Sequence, residues 1–289
     1  YDKRICLRKN NSNLLFTDCA KAATIHTFKT TLASNELPMN DFQPPFIKTQ
    51  DVHCAHDKRV NCTNCRLNAI CLPITLHIDD IDRLNSIVQR GKPLQKGEYL
   101  YRAQDPFDSV FAIRSGAVKA VSISETGDEQ VTGFYLPGEV VGLDGLAADT
   151  YTNSVIALET SSVCEIPFNR LEELSLQIPT LQRHFFQLMS REITQEQQVI
   201  TLLSKSSAEA RIASLLLSIS ARNGRRNLST NNFILPMSRT DIGNFLGLTI
   251  ETVSRVFTRL QKNNVILVDK KEISIVDMDN LQIIAKGTD

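Results

Sequence analysis

The segment CTNCRLNAIC, Cys62 to Cys71, packs three thiols into a 289-residue chain that has only seven cysteines. Thiolates are ligands for zinc and for iron–sulfur clusters, and both kinds of site normally take four protein ligands. The C-x2-C turn lets Cys62 and Cys65 face one metal centre. Cys71 follows a short turn and can reach another corner of a cuboidal cluster. Cys54 stands upstream, beyond AHDKRVN, and Cys164 lies in a β-rich run far along the chain. Spacing alone leaves zinc and iron–sulfur open. A disulfide framework is a poor match, because it needs paired cysteines in a small secreted domain. His53, His56, His77 and His184 show no ligand spacing among themselves, and His53 and His56 read as solvated loop residues beside Cys54.

The second stretch with legible chemistry is MSRTDIGNFLGLTIETVSRVFTRLQKNN. Ser238 to Asp241 can cap a first helix carrying Ile242, Phe245 and Leu246, Gly247 suits a tight bend, and Thr249 can cap a second helix. On that helix Val253, Val256, Phe257 and Leu260 share one face, and Glu251, Ser254, Arg255, Thr258 and Arg259 share the other. A helix-turn-helix needs this division: the apolar stripe holds the recognition helix while polar residues near its N-terminus enter the major groove. Arg reads guanine with a two-pronged donor pair, Glu accepts from the cytosine amino group, and Ser contacts several base edges. The following VILVDKKEISIV predicts a hairpin wing near phosphates. From Lys205 onward, twelve Lys and Arg stand against eight Asp and Glu, a local excess of four in a chain of zero net charge.

Several elements must position these two sites. Residues 76–90 carry Ile78, Ile81, Leu84 and Ile87 on one face, predicting an amphipathic helix ended by Gly91. From Leu94 to Phe168, short runs such as SVFAIR, AVKAVSI, VTGFYL and SSVCEI alternate with glycines, the pattern of an antiparallel barrel or roll. Pro179 then opens a long helix on which Phe186, Met189, Ile193, Glu196, Ile200 and Leu203 follow a coiled-coil seam, apolar except at Glu196. SSAE, Ser206 to Glu209, predicts a capped helix closed by Asn223 and Gly224.

The fold class is therefore α+β, in four segments. Residues 1–50 are an N-terminal extension with a start-like Met39, read as a disordered tail or as upstream sequence that is not native, and assigned no function. Residues 51–170 hold the thiol loop and the β-roll, 171–205 the dimerisation helix, and 206–289 the winged helix-turn-helix. An apolar fraction of 42% and a charged fraction of 22% are those of a soluble globular protein. No stretch of about eighteen apolar residues and no signal-peptide core is present, so a cytoplasmic protein with no membrane partner is expected.

From about Cys54 to Ala285 the motifs CTNCRLNAICLP, KPLQKGEYLYRAQD, AIRSGAVKA, TGDEQVTGF, ALETSSVCEIPF, LLSKSSAEARIA and TDIGNFLGLTIETVSR occur in order. Together they resemble the oxygen-responsive fumarate and nitrate reduction regulators (FNR) of the cyclic-AMP receptor protein superfamily. The resemblance implies one four-iron, four-sulfur cluster per subunit on Cys62, Cys65, Cys71 and Cys164, with Cys6, Cys19 and Cys54 left out. It implies a homodimer when the cluster is intact, binding of TTGAT-N4-ATCAA-like inverted repeats in double-stranded DNA through Glu251, Ser254 and Arg255, and control of genes of anaerobic metabolism. RNA polymerase would be touched by the roll turn Thr126-Gly127-Asp128-Glu129.

Two departures bear on these expectations. Arg66 follows the second ligand where the best-known members carry a small polar residue, and a cation there favours an anionic cluster. In the cyclic-nucleotide cassette, Leu143 stands for the ribose-binding Glu and Asn153 for the phosphate-binding Arg. A buried phosphodiester would lack its counter-charge, so no cyclic nucleotide is expected. No Gly-rich phosphate cradle or catalytic triad pattern points to an enzyme. The competing class is a zinc-stapled or cluster-free DNA-binding regulator without oxygen sensing.

In a parallel pair of the long helices, Glu196 would stand near its own symmetry mate. Two like charges about 6 Å apart, at an effective dielectric between 20 and 80, repel by roughly 0.7 to 3 kcal/mol, the size of typical allosteric couplings. The expected switch is a chain kept toward the monomer by Glu196 until the cluster, joining the N-terminal loop to Cys164, repositions the helix. Ile193, Ile200 and Leu203 then pair.

Overall fold

A computed structural model describes residues 6–10, 13–17, 61–68, 70–72, 76–124, 127–205 and 207–287. The chain divides into residues 1–52 and 53–289. In the first unit β1 (Cys6–Asn10) and β2 (Asn13–Thr17) pair antiparallel. The other positions of the N-terminal extension, with Cys19, Met39 and Cys54, lie outside the described residues.

In the second unit, the glycine-punctuated region folds into two antiparallel sheets. β3 (Tyr99–Tyr101), β8 (Ser154–Ala157), β5 (Val118–Ile123) and β6 (Glu129–Tyr135) form one, in that order. β7 (Val140–Val141), β4 (Ser109–Ser115) and β9 (Ser162–Pro167) form the other. β4 and β8 are buried along nearly all their length, because they are covered on both faces. The roll interior joins Tyr101, Phe111, Ile113, Val118, Val141, Tyr151 and Val155. This is the expected roll.

Helices close its outer faces. α1 (Ile78–Ile87) buries Leu84 but leaves Ile78 exposed. It stops before the expected Gly91, because Gln89 leaves the helix to bridge Glu165 beside β9. A helix missing from the sequence expectation, α2 (Phe168–Gln177), buries Leu171 and Leu174 and precedes α3 (Pro179–Lys205), which starts at the expected proline. α4 (Ala208–Arg225) is capped by Ser207, whose side chain accepts from Ala210 N–H. With Ser207 as the cap, Glu209 falls at the second helical position, where it ion-pairs with Arg259; Ser206, the expected cap, lies outside the described residues. α4 also runs through Asn223 and Gly224; Asn227, at φ +56°, is the left-handed residue beyond its end.

The C-terminal module adds β10 (Asn232–Ile234), α5 (Arg239–Leu246), α6 (Ile250–Lys262), β11 (Ile266–Asp269), β12 (Glu272–Ile275) and α7 (Met278–Lys286). β10 and α7 were not expected; the strand order is β10-β12-β11. Arg222 of α4 ties this module to the roll, ion-paired with Glu139 and donating to Phe134 O at 2.6 Å. Among the described residues, no helix is long and apolar enough to cross a membrane.

Candidate metal centre and nucleic-acid interface

Cys164 of β9 pairs with Ala112 of β4. Side chains alternate along a strand, so Cys164 and Ile166 share a face with Ala112 and Arg114, and these four floor a pocket. Its other walls include Cys62, Cys65, Cys71, Leu72, Leu84, Val88 and Arg90. Tight turns wind the thiol loop: Cys65 N–H donates to Cys62 O at 3.4 Å, Asn68 N–H to Cys65 O at 3.1 Å, and Cys71 N–H to Leu67 O at 2.8 Å. Ile70 seats the loop on the roll against Gly138, where φ is +92° and an added Cβ would lie 2.6 Å from Ile70 Cδ1. The four thiols singled out in the sequence line one pocket, from two segments that only the fold brings together.

Burial pushes the Cys71 thiol up to about 12. Burial also raises Cys62 to about 11 against the Arg90 guanidinium, and raises Cys164 against Arg90 and Arg114. In the free protein these three are neutral thiols at neutral pH, so binding as thiolates needs a metal cation and releases protons. Among the described residues, no three His, Cys, Asp or Glu close around one ion. Zinc at about 2.3 Å from each sulfur would need sulfurs about 3.8 Å apart. All four donors at this pocket are thiols, a donor set that suits zinc or an iron–sulfur cluster.

Arg66 is exposed and is not among the residues that line the pocket. The cations facing the thiols are Arg90 and Arg114, which the sequence expectation missed. Arg90 Nη2 lies 3.6 Å from Cys62 Sγ and 2.7 Å from Asn85 Oδ1. Nothing in local spacing links position 90 to position 62.

α3 shares a core with this site. Leu181, Phe185 and Leu188 pack in the cluster that includes Cys71, Leu72 and Cys164. His184 is 1% exposed. Its ring abuts the Cys71 backbone and Gln187 without full hydrogen-bond geometry to either, and burial holds its pKa below the ordinary histidine range. Farther along α3, Ile193 and Ile200 are 57% and 67% exposed, Glu196 is exposed and Leu203 is half-buried. The apolar seam is thus uncovered on a single chain.

The helix-turn-helix forms as its caps dictate. Ser238 and Asp241 make a full capping box on α5, Gly247 ends α5 at φ +63°, and Thr249 caps α6 by accepting from Thr252 N–H. Gly243 permits the close turn, since an added Cβ would stand 2.6 Å from Leu248 O. Val253, Val256, Phe257 and Leu260 are buried, and Glu251, Ser254, Arg255, Thr258 and Arg259 are exposed. Glu251 sits in the first turn of α6, where hydrogen bonds from its own N–H and from Thr249 lower its pKa. Arg259 is committed to the Glu209 ion pair. Lys270 and Lys271 are exposed at the turn between β11 and β12.

The cassette itself, residues 136–153, contains no Lys or Arg. Asn153 N–H and Nδ2 both donate to Asp144 Oδ2 at 3.0 Å, and Thr152 Oγ1 donates to it at 2.6 Å. A carboxylate thus takes the donors of Asn153. Leu143 packs toward the core shared by α1 and α2.

Residues 92–177 match the cyclic nucleotide-binding domain family, and residues 210–284 match the Crp-like helix-turn-helix domain family. The chain is 54% identical over 229 residues to the transcriptional activator protein anr of Pseudomonas aeruginosa, covering 79% of this chain and 94% of that one. It is 44% identical over 229 residues to the fumarate and nitrate reduction regulatory protein of Salmonella typhimurium, covering 79% and 92%. Of solved structures, FixK2 from Bradyrhizobium japonicum is similar at a TM-score of 0.63 and 26% identity, over 68% of this chain and 97% of that one.

Proposed function

The chain belongs to the Anr and FNR family of transcription regulators, and on that premise we propose that it senses oxygen through a four-iron, four-sulfur cluster. It is a regulator with a DNA-binding helix-turn-helix, not an enzyme. Cys62, Cys65, Cys71 and Cys164 are the ligands, one cluster per subunit. The observation that carries this assignment is the convergence of four thiols on one largely apolar pocket. When bound, such a cluster supplies an oxygen-labile link between the thiol loop and the roll.

The rest of the mechanism lies in the chain's own residues. Cys71 and Cys164 share a core with Leu181, Phe185 and Leu188, so ordering the thiol loop bears directly on the start of α3. A second copy covers Ile193, Ile200 and Leu203, and Glu196 opposes that pairing by like-charge repulsion. The homodimer then sets two α6 helices on an inverted repeat of the TTGAT-N4-ATCAA kind, with Glu251, Ser254 and Arg255 reading base edges. RNA polymerase meets the roll turn at Gly127, Asp128 and Glu129; Thr126 lies outside the described residues. The protein works in the cytoplasm on genes of anaerobic metabolism, activating or repressing them. Cyclic nucleotide is not its ligand, because the Asp144 carboxylate at Asn153 would repel a phosphate.

Purification under nitrogen, with iron, sulfide and zinc analysis and an absorbance scan before and after air, tests this. A brown protein with four irons and four sulfides per chain is expected, bleaching as the mass falls from dimer to monomer. A colourless protein with one zinc per chain overturns it in favour of a zinc-stapled regulator.

A further inference from the structure

Arg90 stands between the two halves of the metal centre. The bridge from Gln89 to Glu165 is double, with N–H to O distances of 2.7 and 2.9 Å, and it lays this segment beside β9 next to Cys164. The guanidinium is anchored at 2.7 Å on Asn85 Oδ1, lies 3.6 Å from Cys62 Sγ and also faces the Cys164 thiol. Asn85 Oδ1 accepts the Cys62 backbone N–H at 3.1 Å as well. One carboxamide oxygen thus holds both the guanidinium and the first ligand of the loop.

We infer, on the footing of the four-thiolate assignment above, that Arg90 is a positioning residue for the metal centre, drawing Cys62 to Cys164 before loading and donating N–H groups to thiolate sulfur afterwards. Two features favour this over a general charge effect. Arg114 also faces Cys164, yet among the described residues only Arg90 has a hydrogen bond to Cys62 Sγ. Nη2 alone serves Asn85 Oδ1 and Cys62 Sγ, so the rest of the guanidinium fork stays available toward Cys164, a spread of donors that the compact ammonium of a lysine does not match.

The parent chain, Arg90→Lys, Arg90→Gln and Asn85→Ala are loaded with iron and sulfide under nitrogen, and loss of the brown absorbance to an iron chelator is timed. Outer-shell partners of metal ligands typically change retention roughly 10- to 100-fold. Arg90→Gln is expected to lose its colour that much faster, Arg90→Lys to fall between it and the parent, and Asn85→Ala to follow Arg90→Gln. Thermal unfolding of the cluster-free chains is measured alongside. If Arg90→Gln does not fold, Asn85→Ala, which keeps the guanidinium but removes its anchor, decides. Equal chelation rates in the folded variants and the parent overturn the role of Arg90 alone. A parent that takes up no iron and sulfide overturns the cluster assignment with it, and shows this before any variant is compared.

Discussion

The Tyr135 hydroxyl donates to Glu192 Oε1 at 2.6 Å, pinning the middle of α3 to β6 one turn before Glu196. Burial holds the Glu192 carboxyl above its ordinary range, and the Tyr135 bond only partly offsets this. A carboxyl raised in the folded state is fully compatible with folding below its unfolded pKa, near 4.5, and costs stability as pH rises above that. Glu192→Gln keeps the acceptor for Tyr135 and removes the buried charge. Its thermal midpoint should exceed the parent's at pH 7, and the two should converge below about pH 4.5. Parallel midpoint curves across that range would count against a buried, charge-penalised Glu192.

Asn244 docks α5 on the edge of the roll as an added strand residue would. Val131 N–H donates to Asn244 Oδ1, and Asn244 Nδ2 donates to Glu129 O at 2.7 Å. Lys119 Nζ, 2.7 Å from Asp241 Oδ1, closes the same junction. Asn244→Ala leaves two backbone groups of an edge strand to water and should cost about 1 to 2 kcal/mol in denaturant unfolding. Amide exchange at Val131 should quicken. Unchanged exchange there would mean that the docking does not persist in solution.

The reader module was legible in the sequence because its determinants act over a few residues. Ser238 and Asp241, Gly247, and Thr249 each fix a backbone group within one turn, and α6 buries the stripe that its spacing predicts. The thiol loop was legible for the same reason. Cys164 was not, because its place depends on pairing with Ala112 across the sheet, and only the family resemblance pointed to it. Longer-range contacts also decided element ends and partners: the Gln89 bridge to Glu165 shortens α1, and Glu209 pairs with Arg259 while Ser207 caps α4. α7 carries one fully buried residue, Leu281, too little pattern to announce a helix.

Arg255 and Arg259 look interchangeable on a helical wheel, but the structure separates them. Arg255 Nη2 donates to the neighbouring Thr252 hydroxyl at 3.3 Å, within its own helix, whereas Arg259 is ion-paired with Glu209 of α4. Arg255→Ala should weaken binding to an inverted-repeat duplex by about 1 to 3 kcal/mol and relax preference at one base pair of each half-site. Arg259→Ala should weaken it less and leave base preference alone. Fluorescence anisotropy against duplexes altered one base pair at a time checks both, and equal effects would show that the ion pair does not hold Arg259 back.

Glu196 lies on the uncovered seam between Ile193 and Ile200, which are mostly exposed on a single chain. Covering those side chains favours dimerisation, whereas bringing two carboxylates together opposes it by roughly 0.7 to 3 kcal/mol. With 1.4 kcal/mol for each factor of ten, Glu196→Ala should tighten the cluster-free dimer by about 3- to 150-fold. Glu196→Gln should recover most of that gain, because it removes the charge and keeps the size. Sedimentation in air, over a concentration series, reads the constant directly. The repulsion is screened by salt, so the parent should also move toward dimer as ionic strength rises, while Glu196→Ala responds less. An aerobic monomer in Glu196→Ala, with no salt response in the parent, would place the barrier to pairing elsewhere on α3.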